Sequence, residues 1–445
     1  MHILSKSSYI KGLQCEKALY LSKKRPFLRD KLTMAQRLKF KRGTDVGIFA
    51  QQCYPGGVNM APNSPQQFPK KVEETLANMA NPEVHTMYEA VFQYNDTLIM
   101  VDIITRDGDK WCAIEVKSSL KLSQTYYNDA ALQYYVLNGC GIQLSDFQLM
   151  YLNPDYQRNG DVDIKQLFNS ESAMEYAKSQ VDFIDKNVGH LKKMLEAPHS
   201  PIVRIGTQCR TPYVCEFMGH CWKNVPTNSI LYCSTPADDT LFDIYFNNKP
   251  VPDAAKEQID ALNNDTFCID YKTLFAFNPM PRPTKIAYLS MLYHYPAIPE
   301  ADGERPYQKK LVAYAFCDNE NPSKITFRHC IDNHNEYQNL ASSLNNDLSD
   351  YELVVCFDDT SYLSTGNSFK TFNVHEILSQ SKFFHRLTKH ALSLDVLESV
   401  LCNKTIECHD MLLYYALESN ADALKASMQA EALALYDIYH YFYKS

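Results

Sequence analysis

The sequence lacks the long apolar runs and the leader pattern that mark membrane and secreted proteins. It has only 14 glycines among 445 residues, and no stretch of 18 apolar residues occurs in it. A membrane-spanning helix is therefore not expected. Residues 1–6 lack the apolar core of a secretory signal. With 45% hydrophobic residues, the chain is predicted to be a folded cytoplasmic protein with room for more than one domain.

Acidic side chains and a lysine occur in three consecutive predicted β-strands. Glu89 lies in the first strand, Asp102 in the second, and Glu115 and Lys117 lie in the third. Residues 106–109 supply a turn between the second and third strands. Adjacent antiparallel strands are therefore expected to bring the Asp102 and Glu115 carboxylates to one end of one sheet.

This set of side chains is the one that a magnesium-dependent phosphodiesterase needs, because it suits a hard divalent cation. Mg2+ and Mn2+ prefer carboxylate oxygens and water, so Asp102 and Glu115 are predicted metal ligands, with Glu89 completing the shell. Lys117 lies two residues from Glu115, on the same strand face, where it can orient a metal-bound water. The alternative is a solvated Glu–Lys pair on an exposed strand face. The apolar neighbours in residues 113–117 disfavour it, since unpaired buried charge is costly.

A helix is predicted over residues 128–137, because apolar residues recur there at helical spacing and Gly139 and Gly141 follow. Asp129 and Gln133 are four residues apart and share one face of this helix. Gln133 is a candidate to hydrogen-bond the scissile phosphate or a base. The alternative is a glutamine that is simply solvated.

Cysteine forms the second informative pattern. Cys209, Cys215 and Cys221 follow one another with a five-residue gap repeated, and Cys15 lies near the start of the chain. The segment is short and carries Pro, Gly and His, so thiolates around a soft metal centre would explain how it is ordered. Disulfides are disfavoured in a reducing cytoplasm. Because the gap is not C-x-x-C, spacing alone leaves zinc and iron-sulfur both open.

The charge of the chain is unevenly distributed. The whole chain has a formal net charge of -8, yet residues 1–45 contain few acids and many bases. The bases are Lys6, Lys11, Lys17, Lys23, Lys24, Arg25, Arg29, Lys31, Arg37, Lys39, Lys41 and Arg42. Tyr9, Tyr20, Phe27 and Phe40 lie among them, and rings next to cations suit a nucleic-acid strand. A solvated helix face is the alternative.

The two patterns together resemble a known family. One cysteine before and three cysteines after a nuclease-type strand set resemble the RecB-like iron-sulfur nucleases of the PD-(D/E)XK superfamily. That group includes CRISPR-associated exonucleases and the nuclease module of AddB-type helicase complexes. The resemblance covers residues 1 to about 225 and is carried further by residues 5–17, 54–58 and 205–209.

The resemblance implies roles for individual residues. The implied catalytic residues are Glu89, Asp102, Glu115, Lys117 and Gln133, of which the first three would bind Mg2+ or Mn2+. Cys15, Cys209, Cys215 and Cys221 would hold a 4Fe-4S cluster. Two positions depart from the family pattern: Gly47 stands where a histidine is usual, and Leu137 stands where a tyrosine is usual. These departures leave metal occupancy and strand polarity open.

The second half of the chain resembles a different fold. Strands are predicted at 286–293, 310–316, 325–330 and 353–357, an order that suits a mixed α/β sheet. Residues 296–308 resemble the ribonuclease-H-like (DnaQ-type) exonuclease domain that a bacterial family carries behind such an iron-sulfur module. Registered on that motif, Ser290 and Leu292 occupy the positions of the first metal-binding acids. His375 and Glu431 replace two further expected aspartates.

These observations predict an α/β protein with a restriction-endonuclease-like nuclease core at 1–225, a linker at 226–253 and a degenerate ribonuclease-H-like domain at 254–445. The expected function is a metal-dependent DNA nuclease, working as an exonuclease on single-stranded DNA or duplex ends, with a structural cluster and no membrane partner. One alternative is a non-catalytic nucleic-acid-binding or scaffold protein with a structural metal. Another is an exonuclease of the second domain, which the missing acids disfavour.

Overall fold

A computed structural model describes residues 3–278, 281–331, 336–357, 359–363 and 369–443. The protein is a mixed α/β protein, as expected, and it divides into two compact units. The first comprises Met1–Lys223 and Ala297–Tyr307, and the second comprises Asn224–Pro296 and Gln308–Ser445. Within the described ranges, no helix combines the length and the apolar character needed to cross a bilayer.

The first unit is built around one mixed sheet. Its elements are β1 (Leu4–Ser5), α1 (Lys6–Gln14), α2 (Glu16–Lys24), α3 (Met34–Gln51), β2 (Val58–Asn59), α4 (Phe68–Ala80), β3 (Thr86–Tyr94), β4 (Thr97–Asp107), β5 (Lys110–Lys117), α5 (Gln124–Gly139), β6 (Leu144–Leu152), α6 (Ile164–Leu167), β7 (Phe168–Ser172), α7 (Met174–Ser179), α8 (Val181–Glu196) and α9 (Met218–Trp222). The sheet order is β2-β3-β4-β5-β6-β7, and β1 pairs with β4.

The central strands of this sheet form an antiparallel meander followed by a crossover. β3, β4 and β5 are antiparallel neighbours, and β6 returns through α5 to lie parallel to β5. The predicted hairpin between β4 and β5 is confirmed, with Asp107 paired to Lys110 and Gly108 at a positive φ of 60°. Glycine adopts this left-handed conformation without the steric cost of a Cβ.

Both faces of the sheet are covered because its strands alternate between two cores. Ile104 and Ala113 belong to the core that includes the buried residues of α5. Ile103 and Ile114 belong to the opposite core, which α3 closes with Val46. Strand β5, with Glu115 and Lys117 near its end, therefore lies between α3 and α5.

One expected helix in this unit is shorter than predicted. Apolar residues recur at helical spacing across residues 166–195 and predict a helix there, but Phe168–Ser172 forms strand β7, which pairs antiparallel with β6. In this edge strand only Phe168 is buried, so its sequence carries little alternation. The helical pattern begins at Met174 and continues in α8.

The second unit contains a second mixed sheet. Its elements are α10 (Asp238–Asn247), α11 (Asp253–Asn263), α12 (Tyr271–Ala276), β8 (Ile286–His294), β9 (Lys310–Asp318), β10 (Thr326–His329), α13 (Tyr337–Asp347), β11 (Leu353–Cys356), β12 (Lys370–Asn373), α14 (Val374–Gln380), α15 (Leu394–Cys402), α16 (Asp410–Leu417) and α17 (Ala421–Phe442). The sheet order is β10-β9-β8-β11-β12.

The four predicted strands of this unit are confirmed as β8, β9, β10 and β11. β8 lies antiparallel to β9 and parallel to β11. The prediction missed β12, which pairs parallel with β11. In β12 only Phe372 is buried, so no apolar alternation marks this edge strand.

The boundary between the units differs from the prediction in two places. Residues 226–253, expected to be a linker, belong to the second unit and contain α10, which buries Leu241, Phe242 and Ile244. Ala297–Tyr307, expected in the second domain, groups with the first unit. Within that unit the Tyr307 hydroxyl donates to the Ser118 carbonyl at 2.7 Å.

Candidate active site

Strand pairing brings the two predicted metal-binding carboxylates together. The β4–β5 register pairs Ile103 with Ile114, so the next step along both strands sets Asp102 opposite Glu115. The Val116 backbone N–H donates to Asp102 Oδ2 at 2.7 Å. The predicted proximity of Asp102 and Glu115 on neighbouring antiparallel strands is therefore present.

Lys117 lies between two carboxylates. Its Nζ is 2.8 Å from Glu115 Oε1 and 2.7 Å from Asp129 Oδ2. Asp129 comes from α5, and so does Tyr126, whose ring centroid is 4.8 Å from the Lys117 Nζ. Two acids and an aromatic face thus fix the position of this ammonium group.

Gln133 is part of the same cluster rather than a solvated residue. Its side chain is buried, and its Nε2 donates to Glu115 Oε2 at 2.6 Å. Its Oε1 is buried and has no hydrogen-bond partner among the residues that the structure describes. A buried amide oxygen without a donor is costly, so this atom is available to a ligand that provides one.

The structure adds a second lysine that the sequence did not suggest. Lys6 Nζ is 2.5 Å from Glu115 Oε1, the oxygen that Lys117 also contacts. Lys6 begins α1, where Ser5 accepts a hydrogen bond from the Ser8 N–H as the N-cap. Because Lys6 and Glu115 are 109 residues apart, local spacing gives no signal for this contact. The sequence did give a signal for Asp129, because it lies four residues from Gln133 on the same helix face.

Glu89 occupies a strained position beside these groups. It lies between the pairs Tyr88–Ile103 and Ala90–Val101, in register with Asp102, and its φ is 52°. This left-handed conformation is unfavourable for a residue with a Cβ and costs roughly 1 kcal/mol. Burial, followed by the nearby Glu115 charge, raises the pKa of Glu89. Such strain is commonly found at functional sites.

The cluster contains more acids than bases. Glu89, Asp102, Glu115 and Asp129 face only Lys6 and Lys117 as cations in the contacts described above. Burial and the Glu115 charge raise the pKa of Asp102 to about 7. Burial likewise raises the pKa of Asp129, although Lys117 opposes it. These carboxyl groups therefore hold their protons more tightly than in water.

Glu115 is the exception among the four acids. Burial alone would raise its pKa, but the ammonium groups of Lys117 and Lys6 outweigh burial and lower the pKa to about 2. Glu115 is therefore ionised at neutral pH. The contrast shows that a further positive charge would stabilise the remaining carboxylates of the cluster.

The donor atoms at this position fit a hard divalent cation. Asp102, Glu115 and Glu89 offer carboxylate oxygens, which Mg2+ and Mn2+ prefer over nitrogen or sulfur. In the described residues, however, no three His, Cys, Asp or Glu side chains form a ready metal site. The oxygens of Glu115 accept hydrogen bonds from Lys6, Lys117 and Gln133 in this arrangement.

The four cysteines singled out by spacing line a single cavity. Cys15, Cys209, Cys215 and Cys221 surround it together with Lys17, Arg204, Phe217 and other residues. Burial raises the pKa of the Cys215 thiol to about 11 and also raises the pKa values of Cys15 and Cys221. Thiolates are the ligands that a soft metal centre prefers, but in the described residues no three of these cysteines are already grouped as metal ligands.

Polar contacts tie the cysteine segment to α1. The Gln14 amide donates to the Gln208 carbonyl at 2.7 Å and to the Tyr213 carbonyl at 2.6 Å. Lys11 forms an ion pair with Glu216. Because α1 also begins with Lys6, one helix connects the cysteine cavity to the acidic cluster.

Only some of the aromatic residues in the basic N-terminal region are accessible. Phe27 is 78% exposed and Phe40 is 60% exposed. Tyr9 and Tyr20 are 1% and 5% exposed, so the prediction that they offer rings for base stacking is wrong. Both tyrosines face the core because their helices, α1 and α2, are amphipathic and bury that side.

In the second unit, a buried carboxylate contacts one of the two positions at which the resemblance would place metal-binding acids. The Ser290 hydroxyl on β8 donates to Glu431 Oε2 at 2.6 Å, and His409 Nδ1 is 2.9 Å from Glu431 Oε1. Leu292, the other position where an acid was expected, is buried and apolar. The Glu431 carboxylate is thus paired with a hydroxyl and an imidazole from the same unit.

The chain matches no protein-family model, and no curated protein is similar to it at a significant level. The resemblance to the iron-sulfur nucleases and to the ribonuclease-H-like domain therefore rests on the motifs of this sequence.

Proposed function

We propose that the first unit is a metal-dependent DNA nuclease of the RecB-like PD-(D/E)XK type, acting as an exonuclease. The observation that carries this proposal is the cluster at the end of β5. There, among the residues that the structure describes, four acids lie near two ammonium groups, and Lys117 lies against Glu115 and Asp129. An acid-rich cluster with a fixed lysine is the arrangement needed to bind a divalent cation beside a phosphodiester.

The order of the strands supports this proposal. A meander of β3, β4 and β5, followed by the crossover helix α5 and the parallel strand β6, is consistent with a restriction-endonuclease-like core. In this arrangement Asp102 and Glu115 lie on adjacent strands, and Gln133 reaches Glu115 from the crossover helix. Three elements that are consecutive in the sequence thus supply most of the cluster.

Each residue of the cluster has a distinct proposed role. Asp102, Glu115 and Glu89 would hold Mg2+ or Mn2+, which acidifies a bound water and neutralises charge on the phosphate when present. Lys117 orients the attacking water and is itself positioned by Asp129. Gln133 keeps Glu115 in place through its Nε2 and directs its free Oε1 towards a donor group of the substrate or water.

The cysteine cavity is proposed to hold a 4Fe-4S cluster with a structural role. Closing the chain between Cys15 and Cys209 costs about 5 kcal/mol in loop entropy. Metal–thiolate binding supplies roughly 10 kcal/mol in small metal-binding peptides, which exceeds that cost. Lys17 and Arg204 line the cavity, and their positive charges suit an anionic cluster.

The basic N-terminal region is proposed to contact the DNA strand. Helix α3 packs on the face of β5 opposite α5 and carries Arg37, Lys39, Phe40 and Lys41. Cations neutralise phosphates, and an exposed ring stacks on a base without sequence preference. Glu115 and Lys117 contact α5 on the other face of β5, so a strand held by α3 would have to pass the end of β5 to reach the acidic cluster.

The second unit is proposed to be a degenerate ribonuclease-H-like domain. A first strand flanked by an antiparallel hairpin on one side and by parallel strands on the other is consistent with that fold. A two-metal site needs carboxylates on both ions, whereas Ser290 and Leu292 stand at the first two acid positions. The unit would then serve in DNA or protein contacts.

One observation favours a second candidate, a non-catalytic nucleic-acid-binding protein with a structural metal. Both oxygens of Glu115 already accept hydrogen bonds from protein groups, which is also what a purely structural polar network shows. This candidate predicts DNA binding without cleavage and a colourless protein, because the cysteines would then hold zinc.

The deciding experiment is anaerobic purification followed by a visible spectrum and an activity assay. The full chain is incubated with end-labelled single-stranded and duplex DNA in the presence of Mn2+. The proposal predicts a brown protein that shortens DNA from one end, and the end that loses its label gives the polarity. A colourless protein that binds DNA and leaves its length unchanged would favour the second candidate.

A further inference from the structure

We propose that Lys6 is a further functional residue of the acidic cluster, which holds Glu115 in the metal-free protein and binds a substrate phosphate once Glu115 is engaged by a divalent cation. This inference rests on the proposed nuclease function and extends it. Lys6 lies outside the strand–strand–helix segment from which that function was argued, and the sequence pattern placed it only among the basic residues of the N-terminal region.

Two lysine ammonium groups crowd one oxygen atom of Glu115. Glu115 Oε1 accepts from Lys6 at 2.5 Å and from Lys117 at 2.8 Å. Two ammonium groups at this separation from one oxygen leave little room for a third cation, and like charges repel strongly where water is scarce. Engagement of Glu115 through Oε1 by a metal ion therefore requires one lysine to withdraw, whereas Oε2 is held by Gln133.

The two lysines differ in how many partners hold them. Lys117 has a second carboxylate partner, Asp129, at 2.7 Å and the face of Tyr126 beside it. Within the described residues, Lys6 has Glu115 as its ion-pair partner. Withdrawal of Lys117 would leave Asp129 without its cation, whereas withdrawal of Lys6 breaks a single contact. Lys6 is therefore the group that moves.

The side chain of Lys6 can change its direction while its backbone stays in place. Its side chain is 28% exposed, compared with 13% for Lys117, so part of the side chain faces solvent although its ammonium group is buried against Glu115. The backbone of Lys6 is fixed, because Ser5 caps α1 and β1 pairs with β4. A lysine with a fixed backbone and a flexible four-carbon chain can redirect its ammonium group without any movement of the helix.

A substrate phosphate is the proposed partner of the released ammonium group. The proposed substrate would bring a phosphate to the acidic cluster, where the ammonium group of Lys6 could reach it. An ammonium group forms strong charge-assisted hydrogen bonds with phosphate oxygens. Lys6 therefore changes from a counter-ion of Glu115 into a contact of the scissile or an adjacent phosphate.

The test is an Mn2+ titration of the full chain, followed by electron paramagnetic resonance, combined with steady-state kinetics. In Lys6→Met the competing cation is gone, so Mn2+ should bind about tenfold more tightly, and KM for DNA should rise about tenfold, since each factor of ten corresponds to one modest ionic contact. Lys6→Arg keeps the charge and should stay near wild type in Mn2+ affinity.

Lys192→Met is the matched control. Lys192 is also a partly buried lysine of the first unit, paired with Asp96 at 2.6 Å, and its loss should change neither Mn2+ affinity nor KM. Thermal unfolding of all three variants checks that the fold is retained, and Lys6→Arg keeps the test informative if Lys6→Met unfolds.

The outcomes separate this inference from the proposed function. Wild-type Mn2+ binding that Lys6→Met leaves unchanged or weakens would overturn the role of Lys6 alone. Absence of Mn2+ binding in wild type and in every Lys6 variant would overturn the proposed nuclease function, and the role of Lys6 with it. Tighter Mn2+ binding by Lys6→Met together with a raised KM supports both.

Discussion

The two units treat a buried carboxylate in opposite ways. In the first unit, Glu115 is held by two lysines, and three further acids surround it without enough cations to balance them. In the second unit, Glu431 is paired with the hydroxyl of Ser290 and the imidazole of His409. The comparison indicates that metal binding depends on the balance between acids and cations more than on the number of acids. Only an excess of negative charge favours a metal ion.

The largest expected effect tests this contrast directly. Asp102→Asn removes one of the proposed metal ligands, and DNA cleavage should fall by about a thousandfold, the usual scale for losing a group that positions the reacting charges. Glu431→Gln in the second unit should leave cleavage unchanged. End-labelled DNA in the presence of Mn2+ measures both. Cleavage that resists Asp102→Asn but disappears in Glu431→Gln would reverse the assignment of the two units.

The cysteine cavity gives the next largest effect. Cys215→Ser removes one of four thiols, so iron content and visible absorbance should drop. The free energy of unfolding of the first unit should fall by about 3 kcal/mol, a fraction of what metal–thiolate binding provides. Cys408→Ser, at an exposed thiol of the second unit, is the control. Equal iron content in the two variants would contradict the proposed 4Fe-4S cluster.

A buried acid in the second unit should make the stability of the protein depend on pH. Burial, together with the charge of Asp437, raises the pKa of Glu398 to about 7. The unfolded chain releases this proton near the ordinary glutamate value of about 4.3. The folded state therefore binds more protons between these two values, and stability is lost as pH rises through this interval.

Glu398→Gln should abolish this pH dependence, since glutamine does not titrate. From pH 5 to pH 8 the free energy of unfolding of the variant should gain about 2 kcal/mol relative to wild type, according to the linkage between pKa and stability. Chemical denaturation at both pH values measures it. A constant difference between variant and wild type across this range would show that Glu398 is ionised in the folded protein.

A smaller effect is expected on the proposed DNA path. Phe40→Ala removes an exposed ring from α3, and KM for single-stranded DNA should rise about tenfold, which is within the range for the loss of one stacked base. Phe183→Ala on α8 serves as the control, because Phe183 is 54% exposed but lies outside the basic region. Equal effects of the two variants would remove α3 from the path.

The smallest effect concerns strain in the acidic cluster. Glu89→Gly relieves a left-handed backbone conformation and removes one of the crowded negative charges, so the free energy of unfolding should increase by about 1 kcal/mol. The same change should reduce Mn2+ affinity, because a proposed ligand is lost. A variant that is less stable than wild type would show that the strain at Glu89 is smaller than the backbone entropy that glycine adds to the unfolded chain.

The sequence was sufficient for those parts of the fold that are locally encoded. The β4–β5 hairpin was predicted because apolar residues flank a turn with Gly108, and the proximity of Asp102 and Glu115 followed from it. β7 and β12 were not predicted, since each has one buried side chain and its strand state depends on pairing with a neighbour. The burial of Tyr9 and Tyr20 likewise depends on tertiary packing.

The candidate site was predictable to the same extent. Glu115, Lys117 and Gln133 lie on consecutive elements, so their types and spacing indicated one cluster. Lys6 could not be found in this way, because the chain returns to Glu115 only after 109 residues. The positive φ of Glu89 was also not encoded by its residue type, since glutamate disfavours that conformation.

The most direct measurement of the central claim is Mn2+ binding to the full chain by electron paramagnetic resonance in wild type, Glu115→Gln and Glu431→Gln. The account predicts binding in wild type, loss of binding in Glu115→Gln, and unchanged binding in Glu431→Gln. Binding that persists in Glu115→Gln would contradict the claim that excess negative charge around Glu115 is the seat of the metal.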